Sequence, residues 1–465
     1  MENNKCFVAS LGNIRKIEGA DRIVLADVML KGTPITQVVV GNDTQEGTKV
    51  VYFDSNLCVS DQIIKDYPDI GKYLSKHNRV KCIKLRGVIS NGLVVDIIKF
   101  RPYFNNDKEY DKFVNTEGKE FTSINNFEIC HKYVPPPARN SHGNSDGKRR
   151  KNEPSRLIDG IFHFHTDTSQ LLRNVHKIKP NDVISISRKV HGTSAIASHS
   201  LVKRKLSWIE KLMKRIGVKV NNTCYDYLYA SRSIVKNSKH NYIVNENDIW
   251  VKAGKEKFFG KLHKGETVYY EIVGYLPSGA MVQKGYNYGC NVGEYKVAVY
   301  RITFTNEDGN VFEYGWQAMK DRCKEIGVDT VEEYYYGRAA DKFDNIEISV
   351  TDVERCNKEV KNTDKFPLPI PQVTARFILD ERIEEIHYAW AKEFVQRLKA
   401  EYLEKKCEDC VNNPPDEGVV IRIEGIHIEV YKLKSELFTL RESASRDNGE
   451  EDIEDIESAN VEEDK

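Results

Sequence analysis

The sequence predicts an α+β protein in which a small all-β barrel precedes a region where strands and helices alternate. Three observations carry this. Residues 7 to about 100 contain short β-like runs ("FVASLGNI", "IVLADVML", "TQVVVGN", "KVVYFD", "RVKCIKLRGV", "GLVVDIIKF") punctuated by the turn residues of "EGADR", "KGTP" and "NDTQEGT". Residues 133–156 break that pattern with Pro, Gly, Asn and basic residues and read as a mobile linker. From about 157 to 440, strand-like runs ("DVISIS", "SAIASHS", "DYLYASR", "TVYYEIVGY", "YKVAVYRI", "EGVVIRIE", "IHIEVYKLK") alternate with helical spacing in "WQAMKDRCKEIG" and "ERIEEIHYAWAKEFVQRLKAEYLEKK". The expected organisation is a module over 1–132, a linker over 133–156, a second domain over 157–442, and a disordered acidic tail over 443–465.

At 465 residues the chain suggests two or three domains, each able to bury a core. Lys plus Arg and Asp plus Glu balance at 70 each, but the last sixteen residues hold nine acids and one lysine. The remaining body therefore carries a surplus of eight positive charges, which suits a phosphate-rich partner as well as plain solubility. The start "MENNKCFVAS" has no signal-like pattern, and no run of about 18 apolar residues occurs, so neither secretion nor a membrane partner is expected. Ten scattered cysteines read as reduced thiols in a cytosol-like, reducing compartment. Cys407 and Cys410 form a CxxC pair, which offers at most two ligands where tetrahedral zinc wants a second pair; a loop with two free thiols is expected. "KRKLSWIEKLMKRIGVK", 203 to 219, carries seven basic residues against Glu210, with Leu206, Ile209, Leu212, Met213 and Ile216 at helical spacing. This insertion, spanning 203–220, is expected to pack its apolar stripe on the body and to offer its cations to nucleic acid.

"SRKVHGTSA", 187 to 195, admits two readings: a turn around Gly192, or a loop that presents Lys189 as a nucleophile. Downstream follow "ASRS" with Arg232, "YYEIVGY" with Glu271, "EGVV" with Glu417, and "YKLKS" with Lys432 and Lys434. If Glu424 and Gly425 make a two-residue hairpin turn, Ile423 opposes Ile426 and Glu417 opposes Lys432, with Lys434 on the same face one step further. A carboxylate and two lysines would then converge at one end of a hairpin. A cross-strand salt bridge at a sheet margin would look the same.

Taken together, these segments resemble the covalent nucleotidyltransferase superfamily of nucleic-acid ligases and messenger-RNA capping enzymes. Its lysine motif is similar to Lys189–Ser194, and the other motifs follow in family order. Ser194 stands where DNA ligases usually have arginine, which favours an RNA ligase. "IRKIEGADRIVLADV" with "RVKCIKLRGVISNGL", "FHFHTDTSQLLRNVHKIKPNDVISISRKVHGTSA" and "EVYKLKSELF" resemble the RNA ligases that carry an OB module ahead of the catalytic domain. The fold so implied is an OB-like β-barrel followed by a ligase-type adenylyltransferase domain of antiparallel sheets flanked by helices.

The resemblance implies an ATP-dependent RNA ligase that uses Mg2+ or Mn2+, acts on RNA, RNA/DNA hybrid ends or a nicked duplex, and works as a monomer. Lys189 would be the adenylated nucleophile and Glu271 would accept a hydrogen bond from the ribose. Glu417 would sit near the metal, Lys432 and Lys434 would contact the phosphates, and Arg232 would hold a nucleotide or RNA 5′-phosphate. Arg188, His191 and Gly192 would line the nucleotide pocket, Gly192 letting the backbone approach closely. His191 stands where many relatives have aspartate, so no acid or base role follows for it. Tyr300 would stack on the base, with Val297 as the apolar alternative. RNA would meet Ser194, Lys203, Arg204 and Lys205, and Lys81, Lys84 and Arg86 on the N-terminal module. Lys432, Lys434 and the metal would lower the pKa of Lys189, which is ~10.4 when unperturbed. Two other classes stay open: a capping guanylyltransferase, for which no C-terminal OB domain is evident, and a non-catalytic RNA-binding protein.

Overall fold

A computed structural model describes residues 5–134, 155–239, 247–343, 346, 372–450 and 453, with side chains in the long helix described from residue 386. The 133–156 linker lies almost wholly outside these residues.

The N-terminal module is built on β1 (Cys6–Lys16), β2 (Ile23–Leu30), β3 (Thr33–Gly41), β4 (Lys49–Phe53) and β5 (Leu93–Asp96). They lie in the order β3-β2-β1-β4-β5, all neighbours antiparallel. Period-two alternation buries Val8, Val51 and Phe53 on one face, and Phe7, Ala26, Val28 and Tyr52 on the other. "RVKCIKLRGV" is not one strand: it turns at Arg86 and Gly87, both at positive φ, into a Cys82–Leu85 and Val88–Asn91 hairpin.

Two mainly antiparallel sheets follow, each with one two-residue strand added in parallel, Ser169–Gln170 and Asp329–Thr330. One holds β6 (Val183–Arg188), β11 (Glu333–Arg338), β12 (Gly418–Ile423) and β13 (Glu429–Lys434). The long helix α4 (Gln372–Tyr402) covers it with Trp390, Phe394 and Leu398 against Ile184, Ile186 and Ile421. The other holds β7 (Thr193–Lys203), β8 (Thr223–Ser231), β9 (Glu266–Gly274) and β10 (Tyr295–Thr305) in the order β8-β7-β9-β10. Helices α2 (Ile249–Phe258) and α3 (Trp316–Ile326) cover it, burying Val251, Phe258, Trp316 and Met319 on Tyr270, Ile272 and Val299. The seven strand-like runs and two helical runs read from the second domain all fall on these elements; α2, capped by Asp248, is additional.

Three further sequence expectations fail. The tail does not begin at 443, because α5 (Glu436–Asp447) continues through that point with Ser443 buried. Its Ser443 Oγ accepts from the Cys82 backbone N–H at 3.1 Å, and the fully buried Arg79 bonds Ser443 and Asp447, so α5 docks the N-terminal module. Next, the basic insertion forms α1 (Trp208–Arg215), but none of the described residues covers its apolar stripe: Trp208, Ile209, Leu212, Met213 and Ile216 are exposed. It stands at the far tip of the β7–β8 pair, beyond the sheet that could have covered it. Finally, the β12–β13 hairpin is shifted by three residues, with Val420 opposite Lys432, Gly418 opposite Lys434, and a longer turn over 424–428.

Candidate active site

Lys189 follows the last residue of β6, and its N–H donates to the carbonyl of Gly418 at 2.9 Å, so the loop is fastened to the neighbouring strand. A cavity opens above it between the two sheets. From one sheet come Ser194, Glu271, Tyr300 and Arg301; from the other come Ser187, Arg188, Val420, Arg422, Val430 and Lys432. His165, Asp167 and Arg232 complete its wall.

Although the expected register is wrong, the charges still converge. Gly418 sits at φ 130°, where a Cβ would meet the Leu433 carbonyl at 2.2 Å, and this glycine breaks the pleat of β12 at its first residue. Glu417 thereby reaches Lys189, with Oε1 2.9 Å from Lys189 Nζ and 3.8 Å from Lys434 Nζ. Lys434 is also held by the Glu442 carboxylate of α5 at 2.8 Å. No sequence rule points to Glu442, the last residue of the expected second domain, beside the start of the expected tail.

The electrostatics differ from expectation in sign. Burial would favour the neutral amine of Lys189, but Glu417 and Glu271 outweigh it and hold the ammonium above its usual pKa. Burial likewise pushes the Glu417 carboxyl up, yet Lys189 and Lys434 more than reverse this, and it stays ionised below the usual range. The depressed lysine is Lys432, pulled down to about 8 by burial and by repulsion from Lys189 and Lys434. Beside it, burial with help from Arg301 and Arg232 pulls His165 down to about 3, so this imidazole is neutral near pH 7.

Tyr300 faces the cavity with its hydroxyl 2.9 Å from Ser194 Oγ and its ring edge-on to His165. Val297 is buried in the core on the other side. The ambiguity between them has a physical origin: Tyr269 pairs with Arg301 and Tyr270 with Val299, so Tyr300 is the extra residue of a β-bulge, a device that re-aims side chains. Ser194 and Glu271 are directly opposed across β7 and β9. Arg232 is paired with Asp167 at the cavity wall.

Other expected residues are placed differently. Arg188 touches the cavity, but its guanidinium is buried and tied to Asp416 at 3.0 Å, Asp409 at 2.5 Å and Cys407 Sγ at 3.2 Å. Its place in the wall is that of a brace for the Lys189 loop, and the CxxC thiols belong to the same brace. The ring of His191 turns away from the cavity and packs edge-on between Tyr286 and Phe438. Gly192 is required by protein, since a Cβ there would lie 2.3 Å from the Ile272 carbonyl oxygen. Lys203, Arg204 and Lys205 lie at the distal end of β7, where Arg204 pairs with Glu210. His165, Asp167, Arg301 and Arg422 line the cavity and were not singled out in sequence; the first two sit in "FHFHTDT", a segment whose match was visible but whose individual roles were not.

Among the described residues, no group of three or more His, Cys, Asp and Glu side chains gathers as a metal cage. Glu417 and Glu271, which both face Lys189, fit a magnesium-type ion, because such an ion keeps several waters and uses one or two carboxylates beside substrate phosphates.

Neither a family model nor a curated protein matches the chain. Solved structures do. An RNA ligase of Naegleria gruberi, in an apo aspartate-to-alanine variant, superposes with TM-score 0.54 at 14% identity, over 96% of this chain and 100% of that one. A lysine-to-alanine variant of that ligase with ATP and Mn gives TM-score 0.52 at 14% identity, over 94% and 98%. The ligase with PPi gives 0.53 at 13%, over 94% and 98%. At such identity the likeness is one of fold, and it runs through the N-terminal module as well as the two-sheet domain.

Proposed function

We propose that this protein is an ATP-dependent RNA ligase. The observation that carries the reading is Lys189, ion-paired with Glu417 and lining a cavity with Glu271, Lys432 and Arg232, on a scaffold like that of an RNA ligase whose structures hold ATP with Mn. The Lys189 amine, once its proton is lost, attacks the α-phosphorus of ATP. A phosphoramidate bond forms as the α–β bridge breaks and pyrophosphate leaves. AMP then passes to an RNA 5′-phosphate, which frees the lysine, and a 3′-hydroxyl displaces AMP to make the phosphodiester.

Lys432 and Lys434 would neutralise the leaving polyphosphate. Glu271 would accept from the ribose, and Tyr300 would stack on the base with its hydroxyl fixed by Ser194. Arg232, now engaged by Asp167, would exchange that carboxylate for a phosphate. A divalent ion at Glu417 would supply charge neutralisation at the phosphates. Arg188 would position the Lys189 loop without touching nucleotide.

The domain division reads best as an RNA-binding OB-like module over 5–132 and a catalytic unit from 157 to the end of α5, with RNA reaching Lys84 and Arg86 on the exposed hairpin turn. Incubation with α-labelled ATP or GTP, followed by peptide mapping, tests the core of this. Label from ATP on Lys189 is the expected result. Label from GTP would make the protein a capping-type guanylyltransferase, and no label from nucleotide-free folded protein would leave an RNA-binding protein.

A further inference from the structure

Helix α1 is an amphipathic surface that the ligase chemistry does not use. Trp208 is 75% exposed, Ile216 73% and Leu212 52%, and Ile209, Met213 and Val218 are exposed as well. At 100° per residue Trp208, Leu212, Ile216, Ile209 and Met213 form one continuous stripe. Lys211, Lys214 and Arg215 occupy the other side, and Lys203, Lys205 and Lys219 flank the ends, all exposed. The helix is formed before any partner arrives. Ser207 and Glu210 make a reciprocal capping box, and Glu210, the lone acid of the segment, is already engaged by Arg204 at 2.6 Å.

We propose that α1 and the turn after it dock the protein on an anionic lipid surface. Such a surface takes both halves of the helix at once: the apolar stripe enters the headgroup–acyl boundary, where tryptophan is favoured, while the flanking lysines and arginines meet negative headgroups. A nucleic-acid backbone would neutralise the cations yet leave Ile209, Leu212, Met213 and Ile216 in water, and none of these has an aromatic face for a base. A second copy would bring the same cations against these. The described residues of the chain's acidic end, Glu450 and Ile453, lie on the opposite flank. Glu450 pairs with Lys284, and Ile453 lines a cavity beside His191, next to the Thr193 end of β7. The helix follows the Lys203 end of that strand, about 33 Å away at ~3.3 Å per residue. The contact would be peripheral, since among the described residues no helix is long and apolar enough to cross a membrane.

The test uses the full chain and vesicles of phosphatidylcholine, alone or mixed with phosphatidylserine. Trp316 and Trp390 are buried and Trp250 half-buried, so a blue shift of tryptophan emission reports Trp208. The expected result is co-sedimentation and a blue shift with the phosphatidylserine vesicles only, weakened by salt. The double variant Leu212→Ser/Ile216→Ser should lose at least tenfold in vesicle partition while lysine labelling by ATP and RNA affinity stay unchanged. The proposal would be overturned by no binding of the native protein to anionic vesicles, by equal binding of the double variant, or by a tenfold loss of RNA affinity in that variant, which would assign the face to RNA. A native dimer that the double variant dissolves would equally assign it to a second copy.

Discussion

Two groups of cations in this chain have similar composition and opposite physics. Lys189, Lys432 and Lys434 are partly withdrawn from water and are set near the carboxylates of Glu417, Glu271 and Glu442. The cations of α1 stand in solvent, screened by salt, and have one acid among them. Basic residues near apolar residues describe both groups in sequence. What separates them is a sheet on each side of the first and, among the described residues, no cover over the second. Charges become chemistry where burial makes their mutual energies large, and remain a surface where water keeps them small.

The contrast is broken most severely by Lys189→Ala, which should abolish lysine labelling by ATP, a loss above about 10³-fold. The fold should survive, because Lys434 still faces the buried Glu417; circular dichroism with the labelling assay checks both. Glu417→Ala should reduce labelling by about 10²-fold or more and also lower the unfolding midpoint, since it leaves Lys189 and Lys434 facing each other without that carboxylate.

Lys432→Met sharpens the comparison further, because function and stability should move in opposite directions. Labelling should drop ~10²-fold while the thermal midpoint at pH 7 rises by a few degrees. The sign follows from the direction of the shift: a lysine at about 8 when folded and near 10.5 when unfolded costs stability wherever both states are charged. The variant's advantage should therefore be full below pH 8 and fade between 8 and 10.5 in denaturant titrations.

His165 gives a smaller effect on the acid side. Folded, it sits at about 3; unfolded, it takes up a proton near 6.5, so the native protein loses stability as pH falls through that window. His165→Gln should flatten that slope, read from urea midpoints at successive pH values. The smallest effect is expected on α1, where Ser207→Ala removes one half of the capping box. It should fray the helix by about 1 kcal/mol, visible in far-ultraviolet circular dichroism, and leave labelling by ATP untouched.

Much of the fold was legible because its strands alternate cleanly and its turns carry glycine, asparagine and aspartate. The strands that bear Glu271 and Lys432, and those that Lys189 follows and Glu417 precedes, are readable in this way, and so is the pair of helical runs that form α3 and part of α4. Failures cluster where a local rule was overridden. Glu424-Gly425 fits a tight two-residue hairpin, whereas the observed β12–β13 turn is longer and the pairing shifts with it. Glu417 still arrives beside Lys189 because Gly418 breaks the strand. Helix α5 was missed because its acidic, polar sequence resembles the tail it precedes; only packing against Arg79 and Lys434 tells them apart.

Periodicity and turn residues act over a few neighbours, so the order of residues is enough to specify which side chains can do chemistry and beside which strands they stand. Tertiary structure alone decided three things. It turned His191 and the approach of Gly192 toward protein, it raised Lys189 while lowering Lys432, and it left the stripe of α1 in water. The reason is common to all three: each depends on what stands opposite in space, and long-range packing, burial and Coulomb energy have no counterpart in the spacing of residues along a chain.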